Sequence, residues 1–533
     1  MDAFLRKWLP HMAMPMLLLI TAIVYFPVVD SNFVVWDDLD LIVHNALVAG
    51  FHPSVFWSFD PELYAPLTLL TFQFEHWLVG FEPTLYHVTN VLLHLGNTYL
   101  VYMFTMSVVG DGGRGAQKVS ALVSAALFAL HPVQVETVAW ASGRKELLWT
   151  LFGLLALSNH VRTPQVRTIA MDRYLSQKHQ TLLWIFLAML SKPTAIVLPV
   201  LIIAMECARG GELVSAVRQQ RRALGLAALF GAVALLGKSS ADIGLSLLQR
   251  LVLVCGGFVA SLRLVVWPRP LAALHPAPDP IALTSLPYAA ALLGCIVLAL
   301  GIWRLRTKVP RTTLSVAFIT LPLVLGLLAP IHAQTVTLLS EHYLYFPMVG
   351  VAMLVMLLLS TLWNSFSSII VRSTETTIMI AILVLFAWMT VDQIPVWRDS
   401  STLFESVRKT YPRSVAVLTN LGTAYAQMEQ YAEAESVLRQ AIGIEPDAIQ
   451  ARFNYAGLRY VRGNYAAATE EYKRVLERAP DHQDAMRMLV WSYYRSGDSA
   501  KAAEVYDNLI HQNPSLRSQL PDLSIPPDNV RSL

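Results

Sequence analysis

Phe33-Val34-Val35-Trp36-Asp37-Asp38-Leu39-Asp40 follows directly on an apolar run from Leu9 to Val29. That run has the roughly 20-residue length that crosses the hydrocarbon core of a bilayer. Arg6 and Lys7 precede it, and basic flanks mark the cytoplasmic side. No small-residue cleavage site comes after it, so it reads as an uncleaved first span. The carboxylates of Asp37, Asp38 and Asp40 then emerge on the outer face. Two readings of them stand open: a hydrated loop whose acids keep it out of lipid, or a catalytic carboxylate reaching into a membrane-embedded site.

Only 14% of the 533 residues are charged and 55% are hydrophobic, with a mean hydropathy of +0.48. Soluble domains carry about 25% charge. Apolar runs recur up to about residue 395 and then stop. The expected fold is therefore all-α: a polytopic helical membrane domain over 1–396 with about 11 apolar segments and an outer loop at 30–85. A linker helix over 397–412, repeats over 413–516 and a disordered tail over 517–533 complete it. A net charge of +3 without a concentrated basic patch speaks against nucleic acid as a partner. Cys207, Cys255 and Cys295 lie in or beside apolar segments, which leaves no disulfide or zinc spacing in the soluble part. No Asn-x-Ser/Thr acceptor with a permitted middle residue is present, which leans toward a bacterial source and a cytoplasmic-membrane location.

The outer loop carries Trp57, Trp77 and four prolines, a composition suited to short amphipathic helices on the membrane surface. A second span is expected at about 86–109, then the Asp111–Lys118 turn, and a third at 119–132 ending in His131-Pro132. Ser142-Gly143-Arg144-Lys145-Glu146 opens the fourth, and Arg162, Arg167, Arg173 and Lys178 place its far end in the cytoplasm. Between 181 and 303 the topology stays open. Lys192-Pro193 interrupts the 181–207 run, giving either a kinked span or two half-helices. Spans at 313–331, 344–362 and 376–394 would leave the C-terminal part on the same outer side as Asp37.

Pro412, Pro446, Pro480 and Pro514 each stand 34 residues apart. That period, with Leu421-Gly422 and Tyr425, Gly463 and Tyr465, and Gly497 and Ala502 at matching positions, is the pattern of tetratricopeptide repeats. Such arrays present a concave surface that takes up peptides, or they rigidify a neighbouring domain.

Together these features resemble the transmembrane and tetratricopeptide-repeat O-mannosyltransferases, and more broadly the GT-C glycosyltransferases. The likeness is carried by Val35-Trp36-Asp37-Asp38 through Asn45, by Tyr64-Ala65-Pro66 with Tyr86-His87 through His94, by His131-Pro132 with Glu136 and Gly143-Arg144, and by Glu341-His342-Tyr343 through Pro347. Ala65 and His342 stand where that pattern places arginine. The resemblance implies transfer of a sugar, such as mannose, from a polyprenyl-phosphate donor to a hydroxyl of an exported protein engaged by the repeats. Asp37 or Asp38 would take the acceptor's proton. Arg144 and Lys192, helped by His342, would hold the donor phosphate, with Glu136, Glu341, His87 and His131 lining the site. Asp38 and Glu136 would be the ligands of a divalent cation if one is used. The rival readings are a non-catalytic scaffold that assembles an envelope complex, and a transferase acting on glycan rather than protein.

Overall fold

The computed structural model describes the chain except at residues 1, 60–63, 109–113, 163–170, 237–244, 329–335, 366–368, 513–516, 518–519 and 521–533. Almost all of the expected disordered tail, the start of the Asp111–Lys118 turn, Arg167 and Pro514 lie outside the described residues. The chain divides into two compact units, Met1–Asp399 and Ser400–Leu533. The expected linker at 397–412 straddles that boundary.

The first unit is built from α1 (Asp2–Tyr25), α2 (Pro66–Val79), α3 (Pro83–Val108), α4 (Arg114–Leu130), α5 (Gln134–Ala139), α6 (Arg144–Arg162), α7 (Met171–Ser191), α8 (Leu198–Ala208), α9 (Leu213–Gln219), α10 (Arg221–Leu236), α11 (Leu247–Val266), α12 (Leu286–Leu305), α13 (Pro310–Leu327), α14 (Pro347–Ser365) and α15 (Ile369–Gln393). Among the described residues, six helices are long and apolar enough to cross a membrane, and the helical stretches within 117–130, 193–208 and 347–363 are apolar but shorter. The expected count of about 11 apolar segments is not confirmed as a count of spans. The 181–207 run is broken, because Lys192 is extended (φ −158°, ψ 135°) and Pro193 starts a 3-10 turn over Pro193–Val197. A proline disfavours helical backbone at the residue before it, so the run becomes the two helices α7 and α8. α6, for its part, begins with Arg144, Lys145 and Glu146.

Lipid is the natural solvent for this unit. On α12, Leu286 is 79%, Leu293 62%, Val297 61% and Trp303 62% exposed, a face that water would not tolerate. The loop after α1 folds into short helical turns at Leu39–Val43 and Pro53–Phe56 and the longer α2. Phe74 and Trp77 of α2 stay exposed while Phe72 and Glu75 are buried. The one departure from all-α is a minimal antiparallel pair, β1 (His275–Pro276) with β2 (Thr337–Leu339).

Two connections position the site. Phe26–Asp30 turns the chain out of α1, and the Asn32 amide donates to the Arg398 carbonyl at 2.8 Å. Between α5 and α6, Gly143 lies so close to Thr137 that an added Cβ would stand 2.2 Å from its carbonyl oxygen. Only glycine fits there.

The second unit is a helical stack: α16 (Ser400–Thr410), then the pairs α17 (Val415–Gln427) and α18 (Tyr431–Ile444), α19 (Ile449–Val461) and α20 (Tyr465–Arg478), and α21 (Gln483–Arg495) and α22 (Ser499–Gln512). Each helix packs on the next. Small residues permit the approach: a Cβ on Gly422 would stand 2.5 Å from Leu438, and Ala434, Ala456, Ala468 and Ala502 are fully buried. The turn within each pair needs left-handed backbone, with Gly463 at φ 76°, Gly497 at φ 83° and Glu429 at φ 60°. Only the first repeat places a side chain there, at a cost of roughly 1–2 kcal/mol. Glu429→Gly therefore stabilises this pair by about 0.5–1 kcal/mol after the glycine's unfolded-state entropy is subtracted. The check is slower amide exchange across Val415–Ile444 by a factor of about 2–5, with the third pair unchanged.

Candidate active site

The acidic loop is anchored by one of its carboxylates and presents the other. Asp38 is fully buried. One oxygen accepts the Val34 amide at 3.0 Å, and the other accepts the Ser142 amide at 2.9 Å and the Ser142 hydroxyl at 2.6 Å. Burial pushes its carboxyl up to about 6, against the downward pull of the Ser142 and Val34 donors and with a small upward push from Asp37. Asp37 keeps 38% of its side chain exposed and meets Lys145 Nζ at 3.4 Å.

Around Asp37 and Lys145 the chain gathers charge from four elements. Lys145 Nζ lies 5.3 Å from the centre of the Trp140 ring. Trp140 in turn is 5.4 Å from the His342 ring. His342 Nδ1 bonds Glu136 Oε1 at 2.6 Å, and the Glu341 amide donates to the other Glu136 oxygen at 3.0 Å. Lys192, at the α7–α8 break, pairs with Glu146 and sits 4.8 Å over the Tyr343 ring. Trp149 donates its indole N–H to the same Glu146. Burial raises the Glu136 carboxyl well above its usual range, with Glu341 adding to it. Burial lowers the His342 imidazole well below its usual value, and Lys192 and Lys145 push it the same way. Both shifts favour the neutral forms of the pair, which share the hydrogen bond between Glu136 and Nδ1. Burial, Glu146, Asp37 and Glu136 together keep the Tyr343 hydroxyl protonated.

Several expected members lie elsewhere. Arg144 is fully buried. Its Nε donates to Asn90 at 2.5 Å, its Nη1 to Thr71 at 3.1 Å and its Nη2 to the Tyr86 carbonyl at 2.8 Å, and the ion pair with Glu75 measures 3.0 Å. With its guanidinium spent joining α2 and α3 to α6, the donor-phosphate role is not carried forward for it. His131 bonds the Val265 carbonyl at 3.0 Å and packs on Phe386 at 4.6 Å between ring centres; burial lowers it to about 4. It is a neutral strut. Glu341 accepts from the Ala272 amide at 2.6 Å and from His275 at 2.8 Å, which ties the late loop to the segment after α11. His87 is fully buried. Asn90 donates to the Trp140 carbonyl at 2.8 Å, and His94 bonds Tyr345 at 2.8 Å and the Ala129 carbonyl at 3.1 Å, so this polar face of α3 joins segments rather than lining a site. Ala65 is buried at the start of α2 and offers no charge.

A cation on Asp38 and Glu136 does not fit these residues. All four carboxylate oxygens already meet donors or His342, and among the described residues no three His, Cys, Asp or Glu side chains group as ligands. Lys145, Glu146, Tyr343 and Trp140 were not singled out as site residues by the sequence reading. The available signal was the doublet Arg144-Lys145: successive helical residues point about 100° apart, so one faces the interior and the other the loop.

These features define a polytopic helical membrane protein with a charged site beside the loop after α1 and a tetratricopeptide tail. A tetratricopeptide-repeat family model matches residues 397–449, 419–482 and 456–516. The chain is also similar to Protein O-mannosyl-transferase TMTC4 of Mus musculus, at 36% identity over 149 residues, 24% of this chain and 20% of the relative. Protein O-mannosyl-transferase F38B6.6 of Caenorhabditis elegans is 31% identical over 167 residues, 28% of this chain and 23% of the relative. Protein O-mannosyl-transferase TMTC1 of Homo sapiens is 34% identical over 142 residues, 24% and 16% respectively. The chain thus spans about a fifth of the length of these curated relatives.

Two outcomes follow. Removing one partner of a buried ion pair costs about 3–5 kcal/mol, so Arg144→Met destabilises the first unit by that amount, measured as a lower thermal midpoint in detergent. Because the folded Asp38 carboxyl titrates at about 6, above its unfolded value of about 3.9, its contribution is fully present below pH ~4 and is lost as pH rises through about 6. The stability advantage of wild type over Asp38→Asn therefore shrinks between pH 4 and pH 7, as thermal midpoints across that range will report.

Proposed function

We propose that this chain is a membrane glycosyltransferase of the GT-C type in a bacterial cytoplasmic membrane. Its N-terminus would be cytoplasmic and its loop and repeats outside. The donor is a polyprenyl-phosphate hexose such as mannose, and the acceptor is a hydroxyl of an exported protein held by the tetratricopeptide stack. The names of the relatives, protein O-mannosyl-transferases, support the reaction class.

The observation that carries the reading is Asp37: a partly exposed carboxylate, 3.4 Å from Lys145, close enough to Tyr343 to act on its hydroxyl, and set along the chain between two membrane-capable helices. The acceptor oxygen attacks the anomeric carbon, and the bond from that carbon to the phosphate oxygen breaks. The electron pair leaves with the phosphate, and the acceptor proton passes to Asp37 as general base. Lys145 and Lys192, helped by His342, balance the charge that grows on the leaving polyprenyl phosphate. Lys145 holds Asp37 before the donor arrives, so a bound phosphate that draws Lys145 away frees the carboxylate to act. Asp38 positions the loop and takes no proton.

Asp37→Asn is expected to cut transfer by about 10²–10⁴-fold at unchanged expression and thermal midpoint. Intact-mass comparison of exported proteins from wild-type and variant cells reads the result as loss of a hexose-sized increment. Unchanged masses, together with a defect on deletion of the repeats, would point instead to a scaffold.

A further inference from the structure

At the end of α6 away from Arg144, a groove of about 330 Å³ opens between α3, α6 and α7. Leu100, Met103, Leu155 and Trp184 wall it, and Ser158 and Arg162 stand on its polar rim. α6 is 19 residues long. At 1.5 Å per residue this sets Arg162 about 27 Å from Arg144, close to the thickness of a bilayer's hydrocarbon core. The polar rim therefore lies at one membrane boundary and the apolar wall runs inward from it.

Three observations on that rim point to one class of ligand. Ser158 is 93% buried, at 7% exposure, yet its hydroxyl has no hydrogen-bond partner, although a helical serine ordinarily satisfies itself on the carbonyl four residues back. Arg162 is exposed and joins no ion pair among the described residues. The carboxylate near this end of α6, Glu206, is already engaged by His160 at 2.7 Å and Arg209 at 3.9 Å, so it leaves the Arg162 charge unanswered. Asn159 bonds across to the Gln177 carbonyl at 2.7 Å and the Thr181 hydroxyl at 2.9 Å, which sets the spacing of α6 and α7 and keeps the groove open. An apolar trough ending in a donor hydroxyl and a guanidinium suits an acyl chain that ends in an anionic headgroup.

We propose that this groove binds one anionic phospholipid of the leaflet at this end of α6. The acyl chain lies against Met103 and Trp184, the phosphate meets Arg162, and Ser158 donates to a phosphate or ester oxygen.

The test uses the full chain reconstituted into nanodiscs of phosphatidylcholine with roughly 10–20% phosphatidylglycerol as the anionic lipid that a basic residue at the membrane boundary attracts. The chain is then released into detergent, and its retained lipids are counted by native mass spectrometry. Wild type is expected to keep one phosphatidylglycerol in preference to phosphatidylcholine. Arg162→Ala should lower that retention at least fivefold, Arg162→Lys should restore most of it, and Met103→Trp, which fills the trough while keeping the charge, should lower it as well. Each variant's thermal midpoint in pure phosphatidylcholine should equal wild type's, which separates lost binding from lost folding. Equal retention of the two lipids by wild type overturns the proposal, as does phosphatidylglycerol retention that none of the variants changes.

Discussion

The three hydrogen bonds that Asp38 accepts hold two remote pieces of the chain in one register. The loop after α1 and the turn before α6 are separated by about a hundred residues, and neither is part of a sheet or a long helix that would fix it. A buried carboxylate must find donors or lose its charge, and Ser142 with the Val34 amide supplies them. This constraint turns Asp37 outward at the point where Lys145 enters from the first turn of α6. Gly143 completes it, since Thr137 leaves no room for a side chain there.

A second layer of buried polar contacts supports the first. Arg144 gathers α2, α3 and α6, while Glu341 and His275 hold the late loop against the segment after α11. In an apolar surround such pairs are costly to break one partner at a time, so the wall behind the site is rigid. The polar groups gathered near Asp37 (Lys145, Lys192 with Glu146, and His342 with Glu136) are then free to be chemical rather than structural. An arginine suited by residue type to a phosphate and the lysine beside it have traded roles because only one of two successive helical residues can face the interior.

Much of this was legible beforehand. The apolar runs, the 34-residue proline period and the break at Lys192-Pro193 are local properties of the chain, and the helices follow them closely. The count of spans was left open, because a run's hydropathy does not say whether it is one helix or two, or how long its regular part is. Within the site, Asp37, Lys192, Glu136 and His342 were recognisable as candidates. Arg144, His131 and Glu341 were equally plausible on residue type and are spent on interior partners, and His87 is buried as well.

The sequence by itself determined that the chain is helical, that its first part is soluble only in lipid, that its last part repeats, and that acids stand where the first span ends. These depend on period, length and residue chemistry over short distances. Only the tertiary structure decided which of two adjacent aspartates is buried, which of two adjacent cations faces the loop, and which histidines are struts. Those outcomes turn on partners fifty to two hundred residues away, and on the rule that a buried charge is retained only where the fold brings it a counter-charge or a donor.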